Sequence, residues 1–368
     1  MSRNVRRRDA ARMLVSRRQV SSSLKVARPP LLENSILAGA QAALTVAIAV
    51  SVVALSPWSG MIGAASIGAM AALFGRFAPK ARRTMIVVYA AMCLSSAIMI
   101  TSLAAWFGLS MAAMMILLSV LGGIYFLIST IGGFGPPGAL IFMFAGMAGM
   151  HTPASLGEVG IRVAVAVFGG VVALIVCSVS EKLRRAELDE AETISPVQHQ
   201  LAELWPAFVR LSVGASLAGL IAYAMGVSHP GWAAMGATAV LQGVHLHLTM
   251  NRAIQRVLGT VVGAVLIWIL LAQEPSIWVG LIFLVGLQLA TEVVIGFNYA
   301  LGQIFVTPMA LLMTYMATPG VSGATMAPER IVDTLLGAVI GVIIAIVLSS
   351  HKDRHNLRSN HEVDGSGI

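Results

Sequence analysis

The lysines and arginines of this chain keep almost entirely to one side of a repeating series of apolar segments. That arrangement restricts the possible fold more than any short motif does. About twelve such segments fall at 36–55, 58–75, 84–105, 109–131, 134–150, 159–179, 206–227, 230–248, 254–272, 276–294, 297–317 and 331–350. Roughly 20 apolar residues in a helix cross the hydrocarbon core of a bilayer. Basic residues fill the N-terminal stretch, the connection from Arg76 to Arg83, the linker with Lys182, Arg184 and Arg185, the Arg252 connection, and the tail with Lys352, Arg354 and Arg358. The connections at 56–57, 106–108, 151–158, 228–229, 273–275 and 318–329 hold no Lys or Arg. Because Lys and Arg accumulate on the cytoplasmic side, both termini are expected inside.

The predicted fold class is an all-α membrane protein of about 12 transmembrane helices, organised as two parallel six-helix repeats. Its parts are a basic cytoplasmic tail (1–33), a first repeat (34–179), a cytoplasmic linker (180–205), a second repeat (206–350) and a cytoplasmic tail (351–368). In the linker, EKLRRAELDEAE (181–192) has helical charge pairing, so the sixth helix is expected to run on into the cytoplasm. The breaks near Gly132-Gly133 and Gly296 are short, as in broken helices.

Only 11% of residues are charged, against about 25% in soluble domains, which excludes an ordinary soluble enzyme. No ten-residue alternation suggests an outer-membrane barrel. The net charge of +8 comes largely from the N-terminal stretch and reads as a topology signal at anionic membrane lipids, not as a nucleic-acid site. Cys93 and Cys177 sit within apolar runs and read as small buried hydrophobes. His245 and His247 lie two apart, on different helical faces, without a third ligand, so no metal or other cofactor is expected. Neither a Walker loop nor a Ser/His/Asp set can be assembled, which argues against an enzyme.

The halves look duplicated. SPWSGMIGAA (from Ser56) pairs with SHPGWAAMGA (from Ser228), and RVAVAVFGGVVALIV (from Arg162) with RIVDTLLGAVIGVIIAIV (from Arg330). Six spans per repeat insert both copies the same way up, with the pseudo-twofold axis along the membrane normal and a shared cavity expected between them.

Arg162 and Arg330 break the charge rule at matching points, each seven residues before a glycine (Gly169, Gly337). They read either as a positive gate for organic anions, which Arg binds with a planar fork, or as structural pins paired with Glu158 and Asp333. Asp333 has Val165 as its counterpart, so it is a candidate proton-coupling carboxylate as well as a simple Arg partner. Glu292, with Gln288 one turn away, is the second such candidate, a helix-end or Arg-paired role being the alternative. Asn298, Tyr299 and Thr307 are placed to hydrogen-bond a substrate carboxylate or to tie helices together. Arg252 and Arg256, four apart at the expected cytoplasmic end of the ninth segment, recruit anions or act as positive-inside anchors.

NRAIQRVLGTVVGAVL (251–266) resembles the R-x-x-x-R-x-x-G-T-x-x-G stretch of the fusaric acid resistance and aromatic acid exporter family. FNYALGQIFVTP (297–308) is similar to its NYA-x-x-x-x-F-x-T stretch. The resemblance implies proton-driven efflux of weak, often aromatic, organic acids across the inner (cytoplasmic) membrane. Many members of that family carry a large soluble domain between the halves; only about 25 residues stand there in this chain, so the domain's function is not carried over. The expected partners are a small organic anion, protons and membrane lipids, with self-association left open. The rival readings are an anion channel with a pore at the repeat interface and a non-transporting structural membrane protein.

Overall fold

A computed structural model describes residues 7–23, 32–184, 201–242, 246–317, 323–350 and 353–357. It is a bundle of helices: α1 (Arg7–Leu14), α2 (Arg17–Ser23), α3 (Leu32–Ala54), α4 (Ile62–Ala69), α5 (Lys80–Trp106), α6 (Met111–Ile131), α7 (Ala139–Ala148) and α8 (Leu156–Ser180). There follow α9 (Leu201–Ala224), α10 (Pro230–Leu241), α11 (Leu246–Leu271), α12 (Ile277–Val294), α13 (Tyr299–Ala317) and α14 (Gly323–Val347). Among the described residues, nine helices are long and apolar enough to cross a membrane. This is a multi-pass membrane protein.

Three of the expected twelve spans are not full-length crossing helices. α4 has 8 residues, α7 has 10 and α10 has 12; at 1.5 Å per residue none crosses about 30 Å of hydrocarbon alone. The physical reason lies in their surroundings. All 12 residues of α10 are buried, as are seven of the eight in α4, so their apolar character answers to neighbouring helices and not to lipid. An apolar run reports burial without saying what does the burying.

Several boundaries also move. α8 ends at Ser180, followed by one 3-10 turn (Glu181–Leu183) and an extended Arg184; the rest of the expected helical extension, including Arg185, lies outside the described residues. So does His245. α11 begins at Leu246 and α14 at Gly323, well before the apolar cores that mark them in sequence. The breaks near Gly132 and Gly296 separate distinct helices, α6 from α7 and α12 from α13.

Serines start three of these helices: the side chains of Ser110, Ser155 and Ser276 accept hydrogen bonds from the backbone N–H groups of Ala113, Glu158 and Val279, satisfying donors that a helix start leaves free. The packing partners recur in the two halves. α5 lies on α8 and α11 on α14; α4 on α8 and α10 on α14; α12 crosses to α3 and α6 to α9. Glycines permit the closest of these approaches. A Cβ on Gly169 would stand 2.4 Å from Ala65 O and 2.8 Å from Ala69 N, and one on Gly337 would stand 2.3 Å from Ala233 O and 2.9 Å from Ala237 N. These contacts match Ala65 with Ala233 and Gly68 with Gly236, one helical turn away from the pairing that SPWSGMIGAA and SHPGWAAMGA suggest by eye.

The N-terminal stretch packs on the second half. Ala10 and Leu14 share an apolar cluster with Leu246 and Leu357. Gln19 donates through Nε2 to His247 O (3.1 Å) and Asn251 Oδ1 (2.6 Å), and Ser23 O accepts from Gln255 Nε2 at 2.6 Å.

Candidate functional site

A cavity of about 290 Å³ opens between α4, α7, α8, α10 and α13, at the end of the bundle where the α7–α8 and α9–α10 connections lie. Its walls are largely apolar, Phe144, Met147 and Met313 among them, with Arg162, Glu158, His151, His229, Ser66 and Thr314 as the polar groups. Both halves of the chain contribute. Arg162 is anchored: Nη2 donates to Glu158 Oε1 at 2.6 Å and Nη1 to His151 O at 2.7 Å. Glu158 in turn accepts from Ala154 N at 2.7 Å, so this ion pair is tied into the start of α8. Protein crowded around the His151 imidazole, still partly open to solvent, lowers its pKa, and the Arg162 and His229 charges add to the effect.

Trp232, 2% exposed, forms part of the cavity wall. The His229 ring stacks on it at 4.7 Å and 15°. The Arg330 guanidinium carbon lies 4.9 Å from its ring centroid, a cation–π distance. His229 Nδ1 is 2.9 Å from Glu329 Oε2, and Ser228 Oγ donates to Glu329 Oε1 at 3.0 Å. One carboxylate therefore ties the start of α10 to α14.

Next to Trp232, on the Arg330 side, lies a cluster of buried polar residues, here termed the chamber. α14 supplies Arg330, Asp333 and Thr334, α11 Arg256 and Thr260, and α13 Tyr299, Gln303 and Thr307, all but Tyr299 at most 1% exposed. Arg256 Nη1 donates to Tyr299 Oη at 3.3 Å, Gln303 Nε2 to Thr307 Oγ1 at 3.2 Å, and Thr307 Oγ1 to Thr260 Oγ1 at 3.4 Å. Arg256, Asp333 and Tyr299 all act electrostatically on Arg330. Yet many groups lack partners among the described residues: Arg256 Nε, Gln303 Oε1, Arg330 Nε and Nη1, Thr334 Oγ1 and both oxygens of Asp333. Buried polar groups in folded proteins are nearly always hydrogen-bonded. So many unpaired ones together make this cluster a candidate site for water or a polar guest.

Two expectations change here. Asp333 shares a helix face with Arg330 but makes no hydrogen bond to it, because the carboxylate oxygens and the guanidinium do not meet. Arg256 is not at the start of its helix and not exposed: α11 begins ten residues before it, and its side chain is 1% exposed. Arg252, one turn nearer the helix start, is half-buried.

The remaining candidates fall elsewhere. Glu292 is in an ion pair with Arg76 at 3.1 Å, and Arg76 also donates to Ser35 Oγ. Asn298 caps α13, its Oδ1 accepting from Ala300 N at 2.7 Å, while its Nδ2 reaches Ser23 O at 3.4 Å. The structure thus gathers Arg256, Arg330, Asp333, Tyr299 and Thr307 and places Arg162 on the cavity. Trp232, His229, Glu329, Thr260, Gln303 and Thr334 join the site without having been singled out in the sequence. The quoted stretch SHPGWAAMGA contains two of them, and a tryptophan in a Gly/Ala-rich helix was the available signal.

Residues 217–344 match the fusaric acid resistance protein-like family. Over these residues the chain is similar to that family. The fusaric acid resistance protein-like stretch contains the whole buried chamber together with Trp232 and His229, whereas Arg162 and His151 lie outside it. A curated relative, the uncharacterized membrane protein YvaC of Bacillus subtilis (strain 168), is 33% identical over 131 residues, 36% of this chain and 21% of that protein. The aligned stretch is thus about a fifth of the relative's length. No solved structure matches the chain.

Proposed function

We propose that this protein is a secondary transporter of the inner (cytoplasmic) membrane that exports organic anions, aromatic carboxylic acids among them, using the proton gradient. The observation that carries the reading is the pair of buried arginines, Arg256 and Arg330, in no ion pair among the described residues and bordered by unpartnered polar atoms. Two arginines share the cluster with one carboxylate, Asp333, which hydrogen-bonds neither; excess positive charge inside a membrane protein is costly, and an organic anion would relieve it. Arg offers two parallel N–H groups to a carboxylate. Tyr299 and Thr307 stand beside the arginines, Arg162 lines the cavity, and Arg252 and Asn298 are the proposed contacts at the other end.

Asp333 is the proposed proton-coupling group, since its charge can offset Arg330 when the substrate has left. Glu292, held by Arg76, is the second candidate. The recurrent helix pairings and the matched Gly169 and Gly337 contacts support a duplicated six-helix unit. The basic residues at the Arg76 and Arg184 end support cytoplasmic termini. Trp232, buried where cavity and chamber meet, favours a carrier over an open anion channel.

The test is flux of benzoate into vesicles containing the reconstituted chain under an imposed pH gradient. Asp333→Asn should abolish gradient-driven accumulation while leaving benzoate exchange. Uptake indifferent to the gradient in the unaltered protein would sink the proton-driven reading, and channel-like conductance would replace it with the channel.

A further inference from the structure

Trp232 touches both the cavity and the buried polar cluster. It lines the cavity, and Arg330, itself absent from the cavity wall among the described residues, faces the ring at 4.9 Å. The indole therefore has both a cation and, nearly parallel at 15°, the His229 imidazole against it. His229 also lines the cavity, so the side of the ring that carries the imidazole is the side a guest in the cavity would meet.

We propose that Trp232 is the gate residue between cavity and chamber, and that it selects flat conjugated monoanions over saturated ones of the same size. The proposal rests on the transport reading above and adds to it the residue that sets specificity. His229 already shows that a flat ring fits against the indole. An aromatic carboxylate can replace the imidazole there, gaining an offset or parallel stack, while its charge approaches Arg330 around the indole edge. A puckered cyclohexane ring has no flat face to offer and forfeits that contact. The cavity, at about 290 Å³, is at the small end for ligand pockets and suits a single-ring acid.

The same contacts explain how the gate is held shut. His229 is kept on the ring by Glu329, which Ser228 also binds, and Glu329 precedes Arg330 on α14. A ligand that takes the place of His229 therefore disturbs the link between α10 and α14 next to the arginine it must reach. Binding in the cavity and opening of the chamber are coupled through a single short connection.

The experiment compares benzoate with cyclohexanecarboxylate, equal in charge and carbon number, in full-length protein reconstituted into vesicles under a pH gradient. The unaltered protein should move benzoate at least fivefold faster. Trp232→Leu should lower benzoate flux about tenfold more than it changes cyclohexanecarboxylate flux, erasing the preference, while Trp232→Phe keeps most of it. Equal loss of both acids, or no change in either, overturns the proposal and leaves Trp232 a packing residue.

Binding of the two acids to purified protein, followed calorimetrically, separates the two readings. Benzoate binding that depends on Trp232 without any flux would remove the transporter and keep the selectivity. Absence of both binding and flux removes both. If Trp232→Leu does not fold, His229→Ala decides. It uncovers the indole face and should tighten benzoate binding at least threefold, and an unchanged affinity rejects the platform.

Discussion

Arg330 on α14 faces the ring of Trp232 on α10, its guanidinium carbon 4.9 Å from the ring centroid, while Asp333, one turn further along α14, has no hydrogen-bond partner among the described residues. The arginine is thus turned toward an aromatic face in preference to the nearest carboxylate. A structural pin would be expected to do the reverse, since a direct charge-assisted pair is the stronger interaction.

This geometry predicts a conflict between stability and function at the two residues. Replacing buried ionic groups by apolar ones of similar volume is often neutral or stabilising by about 1–4 kcal/mol. The double variant Arg330→Met/Asp333→Leu should therefore unfold in detergent at or above the temperature of the unaltered protein, while benzoate flux falls to background. A clear drop in unfolding temperature would mean that the two side chains hold the bundle together.

Glu292 should behave in the opposite way. Its ion pair with Arg76 has side-chain exposures of 12% and 7%, and removing one member of a buried pair leaves the other uncompensated. Glu292→Gln should destabilise the protein by about 3 kcal/mol, and Arg76→Met should restore part of that loss in the double variant. If Glu292→Gln unfolds like the unaltered protein but loses gradient-driven flux, Glu292 carries protons and the pair is incidental.

How far the sequence reaches is visible in these residues. The long helices can be read from it because lipid on their outer faces demands about 20 apolar residues in a row. α10 is misread because a helix enclosed by protein is equally apolar at half that length. The chamber is hidden for a different reason: Arg256, Tyr299 and Arg330 come from three helices, and no spacing rule links positions so far apart. The Arg162–Glu158 pair, four residues apart on one helix, follows from spacing and forms at 2.6 Å. Asp333 and Arg330 have comparable spacing and do not pair, because Trp232, from another helix, attracts the guanidinium.

The matched glycines give a test of the proposed duplication. A Cβ at Gly169 or Gly337 would press on backbone atoms at 2.4 and 2.3 Å, which no rotamer change relieves. Gly169→Ala and Gly337→Ala should each cost about 1–3 kcal/mol by overpacking, and by similar amounts if α4 on α8 and α10 on α14 are equivalent units. Gly160→Ala is the control, since nothing lies within 4 Å of a Cβ there, and it should cost no stability and gain up to about 1 kcal/mol from helix propensity. Unequal losses at Gly169 and Gly337, with no loss in the control, would count against equivalence.

His151 supplies a pH dependence whose sign follows from its surroundings. Its pKa lies below the ordinary imidazole value of 6.5, from desolvation first and then from the Arg162 and His229 charges. Between the lowered folded pKa and 6.5, the unfolded chain binds a proton that the folded chain does not. Stability must then fall as the pH drops below about 6.5 and be fully present above it. Detergent unfolding curves at pH 7.5 and 5.5 should show a smaller decline for His151→Gln than for the unaltered protein. Once protonated, the imidazole adds a positive charge beside Arg162 in the cavity, so benzoate should bind more tightly at pH 5.5 than at 7.5. That gain should disappear in His151→Gln; if it persists undiminished, another group on the cavity wall is the one that titrates.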